Sequence, residues 1–302
     1  MIKKARVWMQ AARLRTLPLS VSGILLGNAY CLSNPNFSWI LFWLMLFTGI
    51  LFQIISNLAN DYGDGTKGTD NAHRVGPKRT LQLGLLTSKE LKTGMIMTSL
   101  LALGCSLIII WLAFGTSSLY YLILFLGLSC LSVWAAVSYT VGNNAYGYSG
   151  LGDLFVFLFF GLLSVLGSAF VQQQYISTRL VELALIIGFL SVGVLNLNNM
   201  RDRENDAAMG KNTLVVFLGN RNARWYHLTL ISLATLLMVK IFIPFLSAYF
   251  SLPLLALIPL AIHFLRVYKN KNPKLLDPEL KHLALSTFAF SALTFLYYFL
   301  RL

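Results

Sequence analysis

The sequence predicts an all-α, polytopic membrane protein of about nine transmembrane helices with a cytoplasmic N-terminus. Three observations carry this expectation. Of 302 residues, 57% are hydrophobic and 12% are charged, against about 25% charged in an ordinary soluble domain. Apolar runs of roughly 20 residues, the length needed to cross a bilayer, recur along the chain. The basic residues behind the net charge of +13 lie between those runs, so topogenic charge explains them better than nucleic-acid binding does. No nucleic-acid partner is expected. The chain reads as a single transmembrane domain over 1–302.

The first 15 residues hold Lys3, Lys4, Arg6, Arg13 and Arg15 without a convincing small-residue cleavage site, so no signal peptide is expected. The first span is placed at 16–33 and ends in the turn Ser33-Asn34-Pro35-Asn36. The second, 38–60, runs into a polar segment rich in Asn, Asp and Gly. Spans at 93–114 and 118–138 follow, joined by a turn over 115–118. The loop 139–151 holds no Lys or Arg, and spans at 152–172 and 180–200 come next. The sixth span runs into a second Asn/Asp-rich segment. Spans at 226–248, 250–267 and 283–301 complete the set, with a turn expected between Ser247 and Ser251. Cys31, Cys105 and Cys130 lie in apolar runs without ligand spacing and read as packing residues.

The Lys and Arg residues test the count. With the N-terminus inside, the inner segments 1–15, 67–92, 201–224 and 266–281 hold five, six, five and five, which is 21 of 24. Arg179, Lys240 and Arg301 are the three outside. That asymmetry supports nine spans, an inner N-terminus and an outer C-terminus. The two Asn/Asp-rich segments lie four spans apart on the same side, which suggests two parallel four-helix units and a ninth helix.

Seven of the eleven acidic residues fall in three places: Asp61, Asp64 and Asp70; Asp153; and Asp202, Glu204 and Asp206. Charge near a membrane is costly and is read as functional by default. In the first cluster Asn60 and Asp64 stand at i,i+4 and share a helix face, with Asp61 one turn from Asp64. Gly63, Gly65 and Gly68 then allow the chain to leave the helix and bend Asp70 back. In the second cluster Asn198, Asp202 and Asp206 form one stripe at i, i+4, i+8. Two facing stripes of hard oxygen ligands suit Mg²⁺, which is held by a few carboxylates, waters and substrate phosphate. A diphosphate is the natural co-ligand, and adjacent Lys67, Arg74, Lys78, Arg79, Arg201 and Lys211 suit its remaining oxygens. One Asn/Asp/Gly cluster after a helix is often a solvated turn. Two on the same side, holding most of the acids, argue against that. A transporter is the rival of another class, but its charges belong near the midplane rather than at the inner rim.

At these residues the chain resembles the UbiA superfamily of intramembrane prenyltransferases, and within it the branch that prenylates 1,4-dihydroxy-2-naphthoate. The resemblance rests on Arg15-Thr-Leu-Pro18, Asn57-Leu-Ala-Asn-Asp-Tyr-Gly-Asp64, Lys67-Gly-Thr-Asp70, Arg74-Val-Gly-Pro77, Tyr146-Gly-Tyr148, Gly150-Leu-Gly-Asp153, Asn198-Asn-Met-Arg-Asp202 and Gly210-Lys-Asn-Thr213. Two departures stand out. The usual third acid of the first motif falls at Gly68, and the nearest acid is displaced to Asp70. The Tyr-x₃-Lys of hydroxybenzoate-using relatives is absent, since Asn143 follows Tyr139 at that spacing.

The resemblance implies a UbiA-type helical bundle in a bacterial inner membrane, with its active site on the cytoplasmic side. It implies Mg²⁺-dependent transfer of a polyprenyl chain from its diphosphate to the naphthoate, with loss of CO₂ and diphosphate, in menaquinone biosynthesis. Another aromatic acceptor, such as a hydroxybenzoate, is the alternative. Asn60, Asp61, Asp64, Asn198, Asp202 and Asp206 are expected at the metals, with Asp64, Asp202 and Asp206 essential to catalysis. Lys67, Arg74, Arg79, Arg201 and Lys211 are expected at the diphosphate, topogenic charge being the alternative. Tyr139, Tyr146, Tyr148 and Asp153 are candidates for the acceptor pocket. The alternatives are interfacial anchoring for the tyrosines and a cap on the fifth span for Asp153. Phe155, Phe157, Phe159 and Phe160 read as packing and lipid contacts, with room for a prenyl tail against some of them. His73, His227, His263 and His282 show no metal-ligand spacing and are expected at the surface or interface.

Overall fold

A computed structural model describes residues 2–115, 118–245 and 252–302. The helices are α1 (Ile2–Ala12), α2 (Leu17–Cys31), α3 (Trp39–Thr66), α4 (Ser88–Phe114) and α5 (Leu119–Ser138). They continue with α6 (Gly152–Gln173), α7 (Thr178–Ala208), α8 (Leu214–Phe242), α9 (Leu257–Lys269) and α10 (Asp277–Phe299). No strand occurs among the described residues. Each of the nine expected spans coincides largely with one of α2 to α10. Seven of these helices, α3 to α8 and α10, are long and apolar enough to cross a membrane. The other two are short: α2 has 15 residues and α9 has 13, preceded by a 3₁₀ turn over Pro253–Ala256. Thr116 and Ser117 of one expected turn, and all of the turn between Ser247 and Ser251, lie outside the described residues.

Helix α7 carries the largest hydrophobic cluster. Leu180, Leu183, Ile186, Ile187, Leu190 and Leu197 on it are fully buried, against Val165, Ile231, Leu283 and Phe290 from its neighbours. A helix apolar all round belongs inside a bundle, and its polar inner end therefore comes to the bundle's interior. The most extensive helix pairings are α7 with α8 and α3 with α4, equivalent pairs in the two expected four-helix units. Ser38 caps α3 by accepting from the Leu41 amide, and Thr87 with Glu90 forms a capping box on α4.

Small residues set the closest approaches. A Cβ at Gly27 of α2 would collide with the Val165 carbonyl oxygen, and one at Gly161 would lie 2.6 Å from Gly188 Cα. Helices lacking side chains at the contact approach backbone to backbone, as membrane bundles do. Both contacts fall on Phe157–Gly167, an 11-residue π-helical stretch inside α6.

Two expectations are corrected. His227 and His263, placed at the surface or interface from sequence, are each 0% exposed. Their Nε2 atoms meet at 2.9 Å between α8 and α9, and His263 Nδ1 meets Glu279 of α10 at 2.7 Å. Packed against one another and a carboxylate, the rings find partners inside the protein for both His263 nitrogens and for His227 Nε2. Cys130 is exposed rather than packed inside, whereas Cys31 and Cys105 are buried.

Candidate active site

The site forms where α3 and α7 end side by side and three connecting segments, 67–87, 139–151 and 209–213, cover them. Helix α3 runs on through Thr66, so Asn60, Asp61 and Asp64 are all helical. The chain then turns back at Gly68 (φ 76°), and the Asp70 amide donates to the Asp64 carbonyl at 3.3 Å. Asp70 therefore bends back as the glycines suggest. The approach of the segment after α5 is equally tight, since a Cβ at Gly63 would lie 2.7 Å from backbone of Thr140. The Thr140 hydroxyl donates to the Ala59 carbonyl at 2.9 Å.

The two motifs are joined by the segment after the first. Asp64 is paired with Arg79 at 2.9 Å and Lys211 at 3.2 Å, and it accepts from the Tyr148 hydroxyl at 2.8 Å. Arg79 also pairs with Asp70 at 3.0 Å, and Arg74 lies 3.3 Å from Asp70 and 3.6 Å from Asp202. The Gly76 amide donates to Asp202 at 3.1 Å, and Asn205 donates to the Thr69 carbonyl at 2.9 Å. Residues more than a hundred positions apart thus meet in one buried network of alternating charge.

The expected residues differ in how they are engaged. Among the described residues the Asp206 carboxylate has no hydrogen bond or ion pair, although it is buried with Asp64 and Asp202 nearby. Asp61 is held by the segment that covers the site. Its Oδ2 accepts from the Thr80 amide at 3.0 Å and from the Thr80 hydroxyl, and its Oδ1 accepts from the Leu81 amide at 3.2 Å. Arg201 is turned to protein partners, pairing with Asp202 at 2.6 Å, with Asp277 at the start of α10, and with Asn198 Oδ1 at 2.8 Å. Lys67 lies 4.0 Å above the Tyr148 ring.

Of the acceptor candidates, Tyr139 and Tyr146 line an apolar cavity, while Tyr148 stands among the carboxylates. The Tyr146 hydroxyl donates to the Ala135 carbonyl at 2.7 Å, and its ring stacks on Phe155 at 3.9 Å. Asp153 is buried in the first turn of α6 and faces Tyr226 on α8. It does not reach the cavity. The cavity measures about 320 Å³ and extends from Asn60 and Tyr139 past Ser132, Ser129 and Phe159 toward Met45 and Ile110. A second, more apolar cavity of about 760 Å³ shares Phe125, Leu128, Phe155, Phe159, Leu163 and Gly167 with it and continues outward between α5 and α6.

Electrostatics follow the burial. Burial works against the charged form of Arg79, but Asp64, Asp70 and Asp61 hold its guanidinium above the usual range. Burial raises the pKa of Asp70, with Arg79 and Arg74 opposing it. Burial raises the Tyr139 hydroxyl well above the usual phenol range, and Asp64 adds to the effect. The phenol is therefore neutral throughout the physiological range.

Several contributors carried no sequence signal strong enough to find them. Thr80 and Asp277 fix Asp61 and Arg201 from distant positions. Asn57 donates to the Ala12 carbonyl at 2.8 Å and to Thr16 at 3.0 Å, tying α3 to the α1–α2 link. Arg13, read as topogenic, sits in that link at φ 51°. Burial, then Arg79 and Arg74, lower its pKa to about 9, while Asp61 and Asp70 oppose them.

The chemistry fits a divalent cation and a diphosphate. One buried carboxylate is uncommitted, Asp64, Asp70 and Asp202 are each ion-paired with basic side chains, and cations outline the space between the motifs. The sequence matches the model of the UbiA prenyltransferase family over residues 20–285. A protein of Haemophilus influenzae named 1,4-dihydroxy-2-naphthoate octaprenyltransferase is 40% identical over 286 residues, covering 94% of this chain and 92% of its own. The protein of that name from Escherichia coli K12 is 43% identical, covering 80% and 78%. The structure of a UbiA homolog from Archaeoglobus fulgidus bound to GPP and Mg²⁺ has the same fold, with a TM-score of 0.71 at 16% identity and coverage of 97% and 98%.

Proposed function

Because the chain belongs to the UbiA prenyltransferase family, we propose that it transfers a polyprenyl chain from its diphosphate to 1,4-dihydroxy-2-naphthoate in menaquinone biosynthesis. The observation that carries the acceptor is the similarity, over most of the chain, to relatives named for that acceptor. The products are CO₂, diphosphate and demethylmenaquinone in its hydroquinone form.

Asn60, Asp64, Asn198, Asp202 and Asp206 are the residues that would hold Mg²⁺, with Asp206 open to it as the chain stands. Mg²⁺ supplies charge neutralisation for the leaving diphosphate. Asp61 is assigned to the loop it anchors, and Arg201 to the orientation of Asn198 and Asp202. Arg74, Arg79 and Lys211 bind phosphate oxygens, which replace the carboxylates those side chains now contact, and Lys67 joins them from its place above the Tyr148 ring.

The reaction then balances without a base. The allylic carbon–oxygen bond breaks with its electron pair going to diphosphate. The ring carbon bearing the carboxylate bonds to the allylic carbon, and the pair from the carbon–carboxylate bond returns to the ring as CO₂ departs. Decarboxylation stands where a proton loss would be needed at an unsubstituted carbon. Tyr139 and Tyr146 offer flat faces to the acceptor at the cavity mouth, and the apolar walls keep water from the electron-poor allylic carbon. The cavity runs on toward the lipid-facing side of α5 and α6, which suits a long tail. The cluster of basic residues on the same side as both motifs supports a cytoplasmic site in a bacterial inner membrane.

Expression in cells lacking their own naphthoate prenyltransferase should restore menaquinone. Restoration of ubiquinone in cells lacking the hydroxybenzoate enzyme, with no menaquinone, would overturn the acceptor. Absence of Mg²⁺-dependent pyrophosphate release from the purified protein would overturn the enzyme and favour the transporter.

A further inference from the structure

Away from the carboxylate motifs, α8, α9 and α10 meet at a second polar cluster, and we propose that His263, Glu279 and His282 form a binding site for a borderline transition-metal cation of the Zn²⁺ class. One ligand atom from each of the three lies within 4.8 Å of the other two, and this is the one such His/Cys/Asp/Glu group among the described residues. His263 Nδ1 is 2.7 Å from Glu279 Oε2, and His282 Nδ1 is 3.4 Å from the same oxygen. Zinc bonds of about 2.0–2.2 Å in a tetrahedron separate neighbouring ligands by about 3.4 Å. The three atoms therefore need to move by only a fraction of an ångström for two of the separations. Two imidazoles and one carboxylate select Zn²⁺, Co²⁺ or Ni²⁺ over Mg²⁺, which prefers oxygen ligands.

Two further observations point to a cation at this place. Arg266 already brings one: its Nη1 lies 3.2 Å from Glu279 Oε1 and 3.2 Å from His282 Nδ1. The His282 Nδ1 lone pair thus points at positive charge. The arginine side chain is 58% exposed, so it has room to leave the corner it fills. Behind the site, the Nε2 of buried His263 is 2.9 Å from His227 Nε2. When Nδ1 binds metal, Nε2–H donates to His227, the kind of outer hydrogen bond that fixes a ligand's tautomer and ring plane. Because Glu279 lies two residues after Asp277, the metal would also brace the helix end that holds Arg201 beside Asp202.

The test uses the full chain in detergent, with any affinity tag removed, stripped by chelator and kept in excess Mg²⁺ to occupy the carboxylate motifs. Co²⁺ is titrated while visible absorption and bound metal per chain are read. One Co²⁺ per chain with the intense absorption of a four-coordinate site is expected. Glu279→Gln and the more exposed His282→Ala should each weaken binding roughly tenfold or more. Arg266→Ala should tighten it by removing the resident cation, and Asp64→Asn with Asp202→Asn should leave it unchanged. His263→Ala is avoided because the buried ring supports the packing of α8 and α9. No bound Co²⁺ in excess Mg²⁺ would overturn the site. So would binding indifferent to Glu279→Gln and His282→Ala, or binding lost in the Asp64/Asp202 variant.

Discussion

At the scale of single residues, the acidic side chains divide into those proposed to meet the ligand and one, Asp61, that holds the loop. Asp64→Ala and Asp202→Ala are each expected to lower turnover by roughly a hundred- to a thousandfold, about 3–4 kcal/mol of transition-state stabilisation. Steady-state kinetics at saturating Mg²⁺ checks this, with near-normal turnover in either variant excluding the two-motif site. Asp61→Asn should behave differently. It places an amide where Thr80 and Leu81 donate to a carboxylate, so it should cost about 1–3 kcal/mol of stability. The Mg²⁺ concentration for half-maximal activity should stay unchanged, and a large rise in it would return Asp61 to the metal. The spacing of Asn60 and Asp64, and of Asn198, Asp202 and Asp206, made the two stripes legible because a helix converts i,i+4 into one face. Asp61 was not separable from them, since one residue's offset does not say which loop comes to cover it. The same holds for Asp277 and Thr80, whose roles exist only once distant segments meet. His227 and His263 were misplaced because their positions show no local period; two different helices bring them together, against Glu279 of a third.

At the scale of helices, the π-helical stretch Phe157–Gly167 and the small residues facing it shape the cavity. Gly27→Val should destabilise the protein by about 1–3 kcal/mol, because its side chain would meet the Val165 carbonyl and force α2 and α6 apart. Thermal unfolding in detergent measures it. Ser129 tests the tail path from the opposite wall. Ser129→Trp should reduce turnover with a long polyprenyl diphosphate about tenfold or more, while a dimethylallyl donor keeps roughly its original rate. Equal losses for both donors would place the tail elsewhere. Helix positions were legible from apolar runs, but α3 and α7 extend beyond the expected spans, because their polar ends remain helical inside the covered site. Neither the π-helical turns nor the break at Gly219 (φ 71°) in α8 has a sequence signature, since both follow from how neighbouring helices pack.

At the scale of the whole molecule, one bundle brings both motifs together, with α2 packed against α3 on one side and α6 on the other. The 21-to-3 division of basic residues predicts an inner N-terminus and, if all nine helices cross, an outer C-terminus. A reporter fused after Leu302 that is active only outside the cytoplasm should be active. Activity only of a cytoplasmic reporter would change the number of crossings by one, with α2 or α9 the helix in question because both are short. The central claim is the Mg²⁺-dependent joining of a prenyl chain to a naphthoate. The most direct measurement gives purified protein a polyprenyl diphosphate with Mg²⁺ and carboxyl-labelled 1,4-dihydroxy-2-naphthoate, and follows labelled CO₂, diphosphate and prenylated product together. The account requires all three in equal amounts, abolished by chelation of Mg²⁺. Diphosphate released without labelled CO₂, or a prenylated hydroxybenzoate formed in preference when both acceptors are present, would contradict it.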